Sequence, residues 1–150
     1  MSEYKKALKR ERLKFFKRLW FYLIPTSVGR SKFLKKHNIF AYMGENVKYG
    51  PRFYPTDAEY LKIHNNVCVA RDVNFIMHDV LCIVFNRMDP QNDYAQKRGC
   101  VEIMDNVFLG SGSQICPNVK VGPNAIVAAG SIVTKDVLPG TVVAGVPAKV

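Results

Sequence analysis

A six-residue period over residues 103–138 constrains this chain more than any other feature of its sequence. Every hexad opens with an aliphatic residue, and its fifth position is small or apolar. Its fourth position is always Asn, Gly or Asp, the residue types that most readily accept a positive φ. The six hexads read IMDNVF, LGSGSQ, ICPNVK, VGPNAI, VAAGSI and VTKDVL, and this shared register leaves little room for chance.

The repeat predicts a stack of coils, each built from three short strands. If the first and fifth positions point into a shared interior and the fourth lies at a corner, three hexads close one turn of a triangular prism. Successive turns then stack at the strand spacing of about 4.8 Å, with backbone hydrogen bonds running between them. The frame continues upstream in residues 43–54 and 63–80, while residues 55–62 carry two extra residues. We expect about four coils in residues 43–150, interrupted by a loop at residues 81–102.

The positive charge is concentrated in front of the repeat. The chain has a formal net charge of +10, and residues 1–36 hold twelve Lys or Arg against two acidic residues. Residues 37–150 hold ten basic and ten acidic residues. Apolar residues recur at helical spacing in the same segment, which predicts an amphipathic helix ending before Pro25. They are Leu8, Phe15, Leu19 and Leu23, with Phe16 and Trp20 beside them.

We therefore expect residues 1–42 to form a basic helical arm, for which three uses are open. The helix can pack against the body or a sister subunit, or it can lie on a membrane surface with its cations on anionic lipid. Nucleic acid is disfavoured, because the body shows no interleaving of aromatic and basic residues. Lys17 and Arg18 interrupt the apolar run that begins at Phe15, so we expect neither a signal peptide nor a membrane span there.

The cysteines indicate a reducing compartment. They show no CxxC pairing and no framework spacing, so neither a zinc ribbon nor a disulfide scaffold is indicated. We expect reduced thiols and a cytoplasmic protein, with the arm bringing it to the inner face of the membrane if it binds lipid. The four are Cys68, Cys82, Cys100 and Cys116.

The repeat, and above all the closing run VGPNAIVAAGSIVTKDVLPGTVVAGVPAKV, resembles the hexapeptide-repeat acyltransferases. That family folds as a left-handed parallel β-helix, so the resemblance implies an all-β domain with an α-helical arm in front of it. Within the family, HD followed by a long loop and NVFLGS is most similar to O-acetyltransferases of sugars and surface polysaccharides, such as the galactoside and maltose enzymes. The resemblance implies transfer of acetyl from acetyl-CoA to a saccharide hydroxyl, without a metal, in a homotrimer with its sites between neighbouring prisms.

His78 is the candidate general base. It occupies the fourth position of FIMHDV, where the side chain should leave the prism, and imidazole suits proton transfer near neutral pH. The alternative is that histidine merely tolerates the corner geometry. Asp79 falls at the nominally inward fifth position, so either the helix opens there or its carboxylate is hydrogen-bonded. It is a candidate to orient His78, as are Asp89, Asp93 and Glu102.

The resemblance also implies contacts for the two substrates. The backbone amide of Ser111 would face the thioester oxygen, and Ala129 would contact the pantetheine. Thr134 and Lys135 would lie further along the same channel, and Lys149 would lie near the CoA phosphates. For the acceptor, the candidates are Arg87, Asp89, Asn92 and Tyr94 in the loop, together with Phe108, which stands where galactoside-type enzymes have tryptophan.

Other functions remain open at this level. The loop can be a solvated insertion, the acceptor can be a non-sugar such as serine or an antibiotic, and the prism can bind without acetylating. A carbonic anhydrase of this fold requires three zinc-ligand histidines across a trimer interface. This chain has three histidines in all, placed elsewhere, so the sequence predicts no metal site of that kind.

Overall fold

Two helices precede a stack of very short strands. The structure, a computed structural model, describes residues 3–150, with the side chains of residues 5, 9 and 12–150. The predicted stripe residue Leu8 has its side chain outside this described set. The helices are α1 (Glu3–Leu23), α2 (Ser27–Lys36) and α3 (Leu81–Met88), and a 3-10 turn spans Ala58–Tyr60.

Thirteen strands follow α2, most of them two residues long. The strands of the first half are β1 (Tyr42–Met43), β2 (Lys48–Tyr49), β3 (Leu61–Ile63), β4 (Cys68–Val69), β5 (Asn74–Phe75) and β6 (Val101–Ile103). Those of the second half are β7 (Phe108–Leu109), β8 (Gln114–Ile115), β9 (Lys120–Val121), β10 (Ile126–Val127), β11 (Ile132–Val133), β12 (Val142–Gly145) and β13 (Ala148–Lys149).

The strands form three sheets, one for each side of a prism. Sheet A has the order β1-β3-β6-β9, sheet B has β13-β12-β10-β7-β4-β2, and sheet C has β11-β8-β5. All the strand pairs are parallel except β12 with β13. Partners in β6–β9, β7–β10 and β8–β11 are eighteen residues apart, as in the pairing of Phe108 with Ile126, which is the predicted three-hexad turn. The last coil is two residues shorter, since Ile126 pairs with Val142. Tyr42 pairs with Lys62 at a spacing of twenty, which accommodates the two extra residues.

The interior follows the hexad register. The six first positions from Ile103 to Val133 are at most 1% exposed, and the six fifth positions from Val107 to Val137 are at most 5% exposed. Side chains alternate between the two faces of each strand, so burying these positions turns the others outward. The predicted core of residues 103–138 is confirmed.

Most corners have the backbone that the fourth position requires. Asn106, Asn118 and Asn124 have φ between 58° and 61°, and Gly112 and Gly130 have φ of 70°. Asp136 is an exception, because it has no positive φ and its carboxylate accepts a hydrogen bond from the backbone N–H of Lys120 at 2.7 Å. At this corner the carboxylate of Asp136 therefore binds a backbone N–H of the neighbouring coil, whereas the Asn and Gly corners adopt a positive φ.

The arm is docked on the first coil through one aromatic residue and one arginine. Phe21 is buried, with its ring against those of Phe33, Tyr49 and Tyr54. The buried Arg30 donates to the carbonyl oxygens of Gly50 at 2.9 Å, Tyr49 at 3.3 Å and Ile24 at 2.8 Å. These contacts fix the end of α1, α2 and the first coil as one packed unit. None of the helices in the described part of the chain has the length and apolarity needed to cross a bilayer.

Candidate active site

His78 lies at the corner between sheets C and A, three residues after the end of β5. Its backbone makes an antiparallel bridge with Arg98, which closes the loop at residues 81–102. Its φ is not positive, so the corner conformation is not the reason for a histidine here. The side chain is 28% exposed, which leaves it partly buried and still accessible.

Asp57 is the carboxylate that orients this histidine. Its Oδ2 makes a short hydrogen bond with Nδ1 of His78, and the Asp57 side chain is only 18% exposed. Because a carboxylate accepts, Nδ1 carries the proton and Nε2 keeps its lone pair. Arg98 Nε lies 3.8 Å from the same oxygen. The pair therefore presents Nε2 as the basic nitrogen.

None of the four acids nominated from the sequence is the partner of His78. The carboxylate of Asp79 accepts from the backbone N–H of Leu81 at 3.1 Å, and the Asp79 side chain is exposed. The coil opens at this position, so the nominally inward carboxylate is not buried. Asp89 and Glu102 have partners elsewhere, and Asp93 is exposed.

The position of Asp57 follows from the coil length. Residues 51–57 run along the side of the first coil where a sheet C strand would lie, and Asp57 comes immediately before the 3-10 turn at the next corner. One coil of eighteen plus the two extra residues places residue 58 beneath His78. Counting back one coil from His78 thus reaches Ala58, the neighbour of Asp57, and does not by itself single out the carboxylate.

Two cavities flank the pair. One, of about 290 Å³, is lined by His78 with Thr56, Asn74 and Ile76, among others. The other, of about 400 Å³, lies between the arm and Asp57 and is lined by Lys14, Phe15, Arg18, Thr56 and Asp57. Thr56 borders both cavities. An acceptor beside His78 would therefore have the cationic face of α1 close to it.

The predicted CoA contacts lie on two different edges of the prism. Ser111 and Ala129 are both exposed and occupy successive coils at the corner between sheets B and C. The carbonyl of Ser111 accepts from the N–H of Gly130 at 2.9 Å. Gly110 permits this stacking, because a Cβ there would lie 2.4 Å from the backbone nitrogen of Ala129.

Thr134 and Lys135 are exposed at the corner between sheets C and A, the edge that also carries His78. One chain therefore does not bring them into a single channel with Ser111 and Ala129. Lys149 is exposed on β13, paired with Ala144 at the end of sheet B. The resemblance to the acyltransferase family identified these positions, and the assignment of corners to edges required the sheet order.

The acceptor candidates in the loop contact one another. Oδ2 of Asp89 accepts from Asn92 Nδ2 at 2.6 Å and from the hydroxyl of Tyr94 at 3.2 Å. Asn86, not predicted from the sequence, exchanges hydrogen bonds with the backbone of Tyr94 at 2.7 and 3.2 Å. Arg87 is exposed on α3. These hydrogen bonds give the loop an internal frame.

Phe108 lies outside the prism on sheet B, away from the loop cluster. It is 43% exposed and pairs in register with Cys68 on one side and Ile126 on the other. Ile126 in turn pairs with Val142, which is also exposed. The outward column of sheet B is therefore apolar over three successive coils.

A second histidine pair supplies an internal comparison. His64 Nε2 lies 3.0 Å from Glu102 Oε1, and the two side chains are 25% and 29% exposed. Lys120 Nζ lies 3.4 Å from the other oxygen of Glu102. The hydrogen bond from His64 lowers the pKa of Glu102, and it outweighs the opposing effect of burial; the hydrogen bond and charge of Lys120 lower this pKa further. Within residues 3–150 as described, no group of three or more His, Cys, Asp or Glu is arranged to hold a metal ion.

Known proteins match this chain in sequence and in fold. Residues 100–135 match the family described as bacterial transferase hexapeptide (six repeats). Over 135 residues the chain is 32% identical to the galactoside O-acetyltransferase of Escherichia coli, covering 83% of this chain and 62% of that protein. Over 50 residues it is 60% identical to the 2,3,4,5-tetrahydropyridine-2,6-dicarboxylate N-acetyltransferase of Staphylococcus aureus, covering 33% of this chain and 21% of that protein.

A solved galactoside acetyltransferase in complex with coenzyme A has the same fold. It aligns with a TM-score of 0.66 at 25% identity, covering 99% of this chain and 82% of that one. Two curated relatives match most of this chain, but the chain spans only 52% of the length of one and 62% of the length of the other.

Proposed function

Because this chain belongs to the hexapeptide-repeat acetyltransferase family, whose members share a left-handed parallel β-helix, we propose that it transfers acetyl from acetyl-CoA to the hydroxyl of a saccharide or glycan precursor. Residues 43–150 would form the transferase domain and residues 1–42 its arm. The observation that carries the proposal is the hydrogen bond between His78 and Asp57 beside a cavity. The similarity to these relatives indicates acetyl-CoA as the acetyl donor, and the pair of His78 and Asp57 would supply the base.

The reaction needs little more than a base and a donor for the oxyanion, since a thioester is already activated. Nε2 of His78 accepts the proton of the acceptor hydroxyl while the hydroxyl oxygen forms a bond to the thioester carbon. The backbone N–H of Ser111 would stabilise the resulting oxyanion. Collapse breaks the carbon–sulfur bond, and the imidazolium returns its proton to the departing thiolate. The products are the acetyl ester and CoA with a free thiol.

Asp57 acts on His78 and not on the substrate. By accepting from Nδ1–H it fixes the tautomer that leaves Nε2 basic, and it stabilises the imidazolium formed when the hydroxyl proton arrives. It is therefore a positioning residue. Asp79, one of the four acids nominated from the sequence, is not proposed for this role, because its carboxylate accepts from the backbone N–H of Leu81.

We propose that the working unit is a homotrimer. Ser111 and Ala129 lie on one edge of the prism, whereas His78, Thr134 and Lys135 lie on another. A channel between two neighbouring copies would combine one edge from each. The exposed apolar column of Phe108, Ile126 and Val142 supports such a contact, because a surface of this kind is usually covered.

The acceptor would be recognised beside the dyad. Arg87, Asp89, Asn92 and Tyr94 remain candidates, with the hydrogen bonds of Asp89 to Asn92 and Tyr94 shaping the loop that presents them. Phe108 would contact the acceptor across the interface of the trimer. Lys149 would bind the CoA phosphates from the exposed end of sheet B.

A second candidate is acetyl transfer to a non-sugar acceptor. It is favoured by the 60% identity to an N-acetyltransferase over 50 residues, which is higher than the identity to the galactoside enzyme. The matched segment is short relative to both chains, so it reports the shared prism more than the acceptor pocket. The sugar acceptor is favoured because that match extends over 83% of this chain.

A panel of acceptors with acetyl-CoA, monitored by release of the CoA thiol, tests the proposal. We expect turnover with at least one saccharide, and a loss of about 10²- to 10⁴-fold in His78→Ala. His64→Ala is a matched control, because His64 is also paired with a carboxylate and is similarly exposed. Undiminished transfer in His78→Ala would exclude this base, and binding of acetyl-CoA without transfer to any acceptor would favour a binding protein.

A further inference from the structure

From Leu13 to Leu23 the outer face of α1 is apolar and exposed. Leu13, Phe16, Trp20 and Leu23 follow one another at intervals of three, four and three residues, so they lie on one side of the helix. With Leu19 they are between 46% and 66% exposed. Phe21, which docks the helix, lies on a different side of it and is 1% exposed. The helix therefore has two apolar faces, and the body covers only one.

This outer face continues onto α2 and is bordered by cations. Phe33, Lys36 and His37 of α2 complete an open groove of about 440 Å³, and Lys17 of α1 lies at its border. Leucine and aromatic side chains line most of this groove, together with Lys17, Lys36 and His37. An amphipathic helix at a lipid interface has this combination of aromatic residues on one face and Lys or Arg around them.

Charge selects among the partners that this face can accept. Residues 1–36 carry a net charge of +10 and residues 37–150 carry none, counted from the same sequence. Two arms meeting face to face would repel each other, and the neutral body of a second copy offers no complementary charge. Nucleic acid would satisfy the cations but would leave the leucines without an apolar partner. An anionic bilayer satisfies both.

We propose that the outer face of α1 and the adjoining side of α2 dock this protein onto an anionic lipid surface. Leu13, Phe16, Trp20 and Leu23 enter the boundary between headgroups and acyl chains, and Lys17 and Lys36 lie among the anionic headgroups. The docking helix is already folded against the body through Phe21 and through Arg18, whose guanidinium lies 5.3 Å from the ring centre of Tyr54. Binding therefore requires no ordering of a disordered segment, and no membrane span is involved.

Vesicle binding of the full chain tests this proposal. We expect the protein to sediment with mixed phosphatidylcholine and phosphatidylglycerol vesicles and not with phosphatidylcholine alone, and to be released by salt. Phe16→Ser and Trp20→Ser should each lower the partition coefficient by about tenfold. Lys17→Gln and Lys36→Gln should each lower it by about fivefold. Leu138→Ser, an exposed leucine of the body, should leave it unchanged.

Each other outcome contradicts the proposal. If the chain binds neither vesicle and Phe16→Ser and Trp20→Ser change its sedimentation coefficient, the face is a contact between copies. If nucleic acid retains the protein and vesicles do not, the Lys and Arg side chains bind that ligand instead. If both kinds of vesicle bind the protein equally, charge does not select the surface. Circular dichroism and the urea midpoint of each variant distinguish lost docking from lost folding, and none of these readouts depends on acetyl transfer.

Discussion

Asp57 and His78 are 21 residues apart in sequence, and the carboxylate of the first accepts a hydrogen bond from Nδ1 of the second. They meet because adjacent coils stack, so a residue at one corner lies above a residue about one turn earlier. The pair thus depends on the register of the whole prism. A displacement of one coil against the next would separate the two side chains.

Replacing Asp57 tests this relationship directly. In Asp57→Asn the amide can donate to Nδ1 as well as accept from it, so the tautomer with a basic Nε2 is no longer enforced. We expect kcat to fall by about 10- to 100-fold, with a smaller change in the KM for acetyl-CoA. Initial rates at saturating acetyl-CoA measure this effect. Glu102→Gln, which alters the pair with His64, should retain the wild-type kcat, and an equal loss in both variants would contradict the assignment.

The acid side of the stability profile should report Glu102. Its pKa lies below the ordinary value of 4.5 in the folded protein, mainly because of the hydrogen bond to His64. A lowered folded pKa gives stability that is present above the unfolded pKa and is lost as the pH falls through the folded one. We expect Glu102→Gln to lower the Tm at pH 7, with the difference from wild type shrinking below about pH 4. Thermal unfolding followed by circular dichroism between pH 3 and pH 7 measures the difference. A constant offset across that range would indicate a packing effect.

Arg30 should hold the arm to the first coil. Its buried guanidinium donates to four backbone carbonyls, those of Ile24, Pro25, Tyr49 and Gly50. Arg30→Met leaves these oxygens without their donor, so we expect a loss of about 2–4 kcal/mol in the free energy of unfolding. Urea denaturation measures it. Lys32→Met, an exposed cation on the same helix, should change stability by less than about 0.5 kcal/mol.

Two serines at equivalent inward positions should respond in opposite directions. The buried hydroxyl of Ser113 has no hydrogen-bond partner among the described residues, whereas Ser131 Oγ accepts from the N–H of Gly145 at 3.2 Å. Removing an unsatisfied hydroxyl should stabilise the fold, so we expect Ser113→Ala to raise the free energy of unfolding by about 1 kcal/mol. Ser131→Ala should lower it by about 1 kcal/mol. Urea midpoints compare the two variants, and a loss in Ser113→Ala would show that its hydroxyl is satisfied.

The chemistry of the arm was only partly readable from its sequence. Its Lys and Arg residues all stand at polar positions of the pattern, and the neighbouring sequence does not distinguish Arg30 from Lys32. Arg30 is buried because α2 crosses the first coil at the point where Gly50 exposes its carbonyl. The structure of the loop at residues 81–102 was also not predictable in detail, because α3 and the contacts of Asp89 lie in a segment without a sequence repeat.

The sequence by itself determined the coil. An aliphatic residue every six positions specifies which side chains are buried. Side chains alternate between the two faces of a strand, and a tight corner follows each strand, so only one arrangement buries all the aliphatic residues. The same register located His78 at a corner, and the resemblance to the acyltransferase family identified Ser111 and Ala129. Only the tertiary structure decided that Asp57 is the partner of His78, that the CoA candidates divide between two edges, and that α1 has one covered and one open apolar face. These relationships join residues in different coils or elements, and local pattern carries no information on which surfaces the folded chain brings together.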